Sequence, residues 1–142
     1  MFGKNKNRLC HTQSKIETFS IVTLCESGMR GSTEYEIALN DDKAVISFYR
    51  IKYTQGMDCR ELERRIVCIK DTIIKLLNDC DILSWNGFVG NHPKGVLDGT
   101  MFTFNAAVDQ DKKIYARGSE NFPKHYREFV NGLYDMIRTE VS

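Results

Sequence analysis

Between Ile16 and Tyr53 the chain offers three β-prone runs joined by connections of only a few residues, and that spacing constrains the fold more than any motif does. Ile16 to Glu26 is rich in Ile, Val, Thr and Phe, and Ser27-Gly28-Met29-Arg30-Gly31-Ser32 then supplies the glycines of a turn. Tyr35, Ile37 and Leu39 alternate with Glu34 and Glu36, as a strand buried on one face requires. Asn40-Asp41-Asp42-Lys43 reads as a hairpin loop, and a third run, Ala44 to Tyr53, follows it. Parallel pairing needs a crossover of a dozen or more residues, so connections this short force an antiparallel meander.

The next segment reads as a helix. Asp58-Cys59-Arg60-Glu61 matches a capping box with Asp as the cap, and Leu62, Ile66, Ile69, Ile73, Leu76, Leu77 and Cys80 recur at three- and four-residue steps. Such a stripe covers a sheet or forms a dimer seam. A loop rich in Gly, Asn and Pro runs from Ser84 to Gly95 and holds the only Trp. Beyond it, Thr100 to Val108 and Lys113 to Arg117 flank Asp109-Gln110-Asp111-Lys112 as a second hairpin. Gly118-Ser119-Glu120-Asn121 then opens a last helix, with Pro123 in its first turn and Phe122, Tyr126, Phe129, Val130, Leu133 and Ile137 on its apolar face. The expected fold is α+β: a mainly antiparallel sheet of about five strands in the order β-β-β-α-β-β-α, with both helices packed on one face. Residues 1–15, with Lys4, Lys6, Arg8 and Lys15, read as a basic N-terminal arm, and 16–142 as a single globular domain.

The 20 basic side chains against 19 acidic ones exclude a chain built as a whole for a nucleic-acid backbone or an anionic membrane, so any such partner needs a local patch. Cys10, Cys25, Cys59, Cys68 and Cys80 are odd in number and lack Cys-x-x-Cys spacing, which favours free thiols over a zinc site or a disulfide framework. Cys10-His11 with Cys25 leaves a tetrahedral ligand set incomplete. No metal or cofactor is expected. Met1 to Leu9 has no apolar core of signal-peptide length and no run approaches the ~20 apolar residues of a membrane span, so the expectation is a cytoplasmic protein.

Leu97-Asp98-Gly99-Thr100-Met101-Phe102 together with Gly118-Ser119-Glu120-Asn121-Phe122-Pro123-Lys124-His125-Tyr126 resembles a recurring element of small uncharacterised bacterial proteins, over the last third of the chain. The resemblance implies no activity.

Three surfaces are candidates for function. In the long loop, His92 and Lys94 stand near Asp98: an acid–base reading makes His92 the proton carrier and Asp98 its orienting group, but no positioned nucleophile accompanies them. Gly87, Gly90 and Gly95 fit neither a P-loop nor a dinucleotide fingerprint. On the sheet face away from the helices, Arg50 and Lys52 with Lys113, Tyr115 and Arg117 mix basic and aromatic groups as single-stranded nucleic-acid platforms do. Trp85 and Phe88 are of the types enriched at interface hot spots. The reading these add up to is a non-enzymatic, macromolecule-binding protein (inhibitor, adaptor or accessory subunit), monomeric or homodimeric, whose partner is another protein. The alternative is binding of nucleic acid or a nucleotide through the basic and aromatic sheet face.

Overall fold

The computed structural model describes residues 15–29 and 31–139, so the basic arm expected at 1–15 lies outside them except for Lys15. Four strands, β1 (Phe19–Gly28), β2 (Gly31–Asn40), β3 (Lys43–Thr54) and β4 (Met57–Ile69), form an antiparallel meander. Helix α1 (Lys70–Asp79) and a 3-10 turn (Ile82–Trp85) lead to a two-residue strand β5 (Val89–Gly90). The hairpin of β6 (Met101–Val108) and β7 (Lys112–Ser119) and helix α2 (Tyr126–Thr139) complete the chain. The result is one seven-stranded sheet in the order β4-β3-β2-β1-β6-β7-β5, antiparallel throughout except where β5 lies parallel to β7.

The α+β class, the meander and the second hairpin are as the sequence implies, but there are seven strands rather than five. The main correction is at 57–69. Asp58 to Glu61 is not a helix cap: Asp58 sits opposite Tyr53 in the β3–β4 ladder, and the Glu61 carboxylate meets Lys52 Nζ at 2.9 Å. Gln55 and Gly56 both take positive φ (53° and 81°), the signature of a tight type I′ hairpin, and they turn the chain straight back along β3. A register shift between Phe48 and Tyr49 then leaves Glu63 unpaired as a bulge. The bulge moves Leu62 to the open face while Ile66 stays on the covered one, so the alternation a strand should show is broken and the residue spacing imitates a helix. Helix α1 begins only at Lys70, whose N–H donates to the Asp42 carbonyl at 3.1 Å.

One cross-strand row shows how the two faces divide. Ile66, Ile46, Ile37, Val22, Ala106 and Ile114 stand side by side from β4 to β7, and all are buried. Ile73 and Leu77 of α1 and Phe129, Leu133 and Ile137 of α2 complete that core, so both helices cover this face. The next row, Arg65, Ser47, Glu36, Thr23, Asn105 and Tyr115, points the other way and stays open to solvent except at Ser47. There Arg65 Nε donates to Ser47 Oγ at 2.8 Å, and the Arg60 guanidinium lies 3.9 Å over the Tyr49 ring while bridging Glu34 and Glu36.

Candidate functional site

The long loop divides into two parts with different physics. Trp85 is fully buried: its ring stacks on Tyr126 and meets Phe104 and Phe129 edge-on at centroid distances of 4.9 and 5.6 Å, and its Nε1–H donates to the Lys124 carbonyl at 2.9 Å. A candidate binding anchor in the sequence is therefore a core residue with its one polar atom satisfied. Phe88 is half-buried, its ring 6.3 Å from that of Phe102. Between them the backbone runs along the outer side of β7. Gly87 N–H donates to the Tyr115 carbonyl (2.8 Å), Tyr115 N–H to Asn86 Oδ1 (3.0 Å), and Arg117 N–H to the Phe88 carbonyl (3.1 Å). This segment seals a sheet edge.

From Asn91 to Asp98 every residue is exposed. His92 nevertheless gives this part a fixed shape. Its Nδ1 is 2.7 Å from Ser119 Oγ and its Nε2 contacts the Val96 carbonyl. A carbonyl only accepts, so Nε2 carries the hydrogen, and in the neutral ring Nδ1 accepts from the Ser119 hydroxyl. The orienting group is thus the Val96 carbonyl, not Asp98, and a hydroxyl absent from the sequence-based reading stands against His92. Among the described residues no carboxylate hydrogen-bonds to the His92 ring, whose two nitrogens are taken by Ser119 and Val96. The amide next to the hydroxyl, Glu120 N–H, is engaged by the Thr100 carbonyl at 2.9 Å and is not free to hold an oxyanion.

Two shallow clefts of about 400 and 360 Å³ share His92, Met101 and Ser119. Met29, Leu97 and Asp98 wall the first; Val89, Asn91 and Arg117 wall the second. The apolar members stand out in solvent, with Leu97 94%, Met29 80%, Met101 54% and Val89 53% exposed. Of the loop group, His92 and Asp98 line one cleft and Lys94 is on the same exposed loop; of the sheet-face group, Arg117 lines the other cleft and Tyr115 is two positions from it on the same open face. Arg50 and Lys52 are elsewhere. They alternate with Ser47, Tyr49 and Ile51 along β3, so they point to the helix-covered side, opposite to Tyr115 and Arg117, and they pair with Glu63 (3.8 Å) and Glu61 (2.9 Å). The basic and aromatic residues of β3 and β7 therefore do not form one platform.

Reading by residue type missed Met29, Leu97, Met101 and Ser119. The available signal was Val96-Leu97 between Gly95 and Asp98-Gly99, two apolar residues held in consecutive turns where neither helix nor strand periodicity can bury them.

The groups with displaced acidity lie outside the clefts. Burial, then Glu26 and Tyr134, pushes Tyr35 up to about 12, and burial, then Glu128 and Asp79, pushes Cys80 up to about 11. Burial and the hydrogen bond it donates to Glu26 raise the Tyr126 phenol far above its ordinary value, and burial raises the Cys25 thiol. No cluster of three or more His, Cys, Asp and Glu side chains able to hold a metal occurs among the described residues, and the Cys10-His11 part of the incomplete metal set lies outside them. The four described cysteines are free thiols, and no described helix is long and apolar enough to cross a membrane. No protein-family model matches the chain, and no curated protein matches it.

Proposed function

We propose that the protein works by binding another protein through the end of the sheet built on His92 and Ser119, with no chemistry at that site. The observation that carries this reading is the gathering of Met29, Val89, Leu97 and Met101 around two clefts that share a polar centre. Met and Arg are enriched at protein interfaces, and here Met29, Met101 and Arg117 line the two clefts. The His92 clasp holds the loop before binding, which lowers the ordering cost of association. The partner fitting this surface presents an apolar side chain to the cleft between Met29, Leu97 and Met101.

A second reading is supported by β7, where Tyr115, 44% exposed, stands between exposed Lys113 and Arg117 on the open face, as a base-stacking residue between phosphate contacts would. The two are separated by one set of variants. Under the protein-binding reading, Leu97→Asp and Met101→Asp lose the partner in a pull-down from lysate of the source cells, a loss of about 2 kcal/mol or more of binding, while melting within a few degrees of wild type. Tyr115→Ala and Arg117→Ala leave the captured protein unchanged. If instead only the latter pair matters, and wild type binds a labelled single-stranded oligonucleotide with a steep salt dependence, the nucleic-acid reading replaces the first.

A further inference from the structure

The two ends of the sheet are unlike each other. β1, β3 and β7 run toward one end and β2, β4 and β6 run away from it, so the β1–β2 turn, the β3–β4 turn and the loop between β5 and β6 all lie there, beside Ser119 at the end of β7. Each of these three connections exposes a large apolar side chain. Met29 and Leu97 wall the larger cleft, and Tyr53 and Met57, 75% and 62% exposed, flank the β3–β4 turn. The two hairpin turns at the opposite end, Asp41-Asp42 and Asp109-Gln110-Asp111, hold no apolar residue, and Val67 and Ile69, exposed toward that end, lie on a strand. Turns face water and are ordinarily built from Gly, Pro, Asn, Asp and Ser. Three apolar turns gathered at one end form a contiguous surface, which scattered single exposures do not.

The β3–β4 turn is level with the other two connections. Ile51 pairs with Ser32, so Tyr53, two residues on, reaches the level of the turn that carries Met29. Tyr53 stands opposite Asp58 and Thr54 opposite Met57, which sends Tyr53 to the open face and Met57 to the helix-covered one. A partner lying on either face touches one of them; a partner set against the end of the sheet touches both. Gln55 and Gly56 hold this tip in a tight turn, so its shape exists before binding. Strands lie ~4.8 Å apart: the two clefts, from β1 to β5, span three steps or about 14 Å, and the end from β4 to β7 spans five steps or about 24 Å. A specific protein interface takes about 800 Å² from each partner, a patch of about 28 Å on a side, which is near the width of the whole end.

Charge selects the class of partner. Asp58 adjoins Met57, Lys94 and Asp98 bracket Leu97, and none of the three forms an ion pair among the described residues. An anionic membrane or a phosphate backbone is met by clustered bases. Apolar tips with carboxylates beside them, and both signs of charge, suit the mixed surface of a protein.

We propose that the partner of the His92–Ser119 surface is a protein that caps this whole end of the sheet, with Tyr53 and Met57 as its second apolar contact; this rests on the protein-binding reading of that surface.

The test replaces Thr54, Val96 or Gln110 of the full chain, one at a time, by photoreactive p-benzoylphenylalanine, irradiates each variant in lysate of the source cells and identifies the attached polypeptide by mass spectrometry. Thr54 and Val96 adjoin the contacts without removing them, and Gln110 is in a turn at the opposite end. Positions 54 and 96 are expected to capture the same protein and position 110 to miss it. With that protein purified, Tyr53→Ala and Met57→Ala should each weaken binding about tenfold in calorimetric titration while melting with wild type, and Val67→Ala should not weaken it. Capture from 96 but not from 54, capture of different proteins, or unchanged affinity in both Tyr53→Ala and Met57→Ala overturns the capping proposal and leaves the His92–Ser119 surface standing. Capture from neither position overturns both. Crosslinks that join two copies of this chain, or wild type that sediments with phosphatidylserine vesicles where Leu97→Asp does not, assign the end to self-association or to a membrane and overturn the proposal as well.

Discussion

The two edges of the sheet are finished in opposite ways. At β7, Asn86 to Gly90 is laid along the strand and takes up the Tyr115 amide and carbonyl and the Arg117 amide, with Trp85 set into the core beside it. At β4, no described segment does this, and the strand presents both charged and apolar side chains to solvent. The difference shows that a glycine-rich loop with a tryptophan can be a structural cover, whereas a charged stretch with helical spacing can be the open surface.

The sealed edge should therefore carry far more stability per residue. Replacing Trp85 by Ala removes a fully buried indole, three aromatic contacts and the hydrogen bond to Lys124, and is expected to cost about 3–5 kcal/mol. Denaturant unfolding measures this, and amide exchange should show Tyr115 and Arg117 losing protection ahead of β1–β3. A loss under about 1 kcal/mol, within the range of surface substitutions, would put Trp85 outside the core and break the comparison.

How legible this was in the sequence differs between the same two regions. Alternation at Tyr35, Ile37 and Leu39, and the apolar stripe at Phe129, Leu133 and Ile137, carried the meander and the last helix, because each element buries one regular face. At β4 regularity fails twice. The bulge at Glu63 reverses the phase of the side chains, and an edge strand lacks the second neighbour that would bury it, so Leu62 and Ile66 keep helical spacing on a strand. The loop was opaque for another reason: Trp85 is buried by Tyr126 and Phe129, far along the chain, and no local pattern reports such a contact. Likewise the His92–Ser119 pair spans 27 residues and joins two elements that only the fold brings together.

A smaller effect is expected where the cover meets β7. Gly90 pairs with Gly118, and a Cβ added at either would come to 2.3 Å from the Asn121 carbonyl oxygen, a backbone atom with no flexible end to yield. Gly118→Ala should cost about 1–3 kcal/mol, the range for overpacking a close-packed site. The same substitution at Gly31, which has nothing within 4 Å of the added carbon, meets no such clash and pays only for its φ of 116°. Thermal melts of the two variants set the close approach beside backbone strain: a Gly118→Ala variant that melts with wild type would show that the Asn121 contact yields without cost.

The smallest effect belongs to the open edge. Lys52 and Glu61 meet at 2.9 Å, but their side chains are 53% and 55% exposed, so water competes for both charges and salt screens them. Holding two long side chains in one geometry also costs rotamer entropy that the Coulomb attraction at high dielectric barely offsets. Lys52→Ala should therefore lower folding stability by no more than about 1 kcal/mol, and most of that loss should vanish in about 1 M salt, where the screening length falls to about 3 Å. A loss approaching that of Trp85→Ala, and persisting in high salt, would mean that the Lys52–Glu61 pair is shielded from water and that the β4 edge is covered after all.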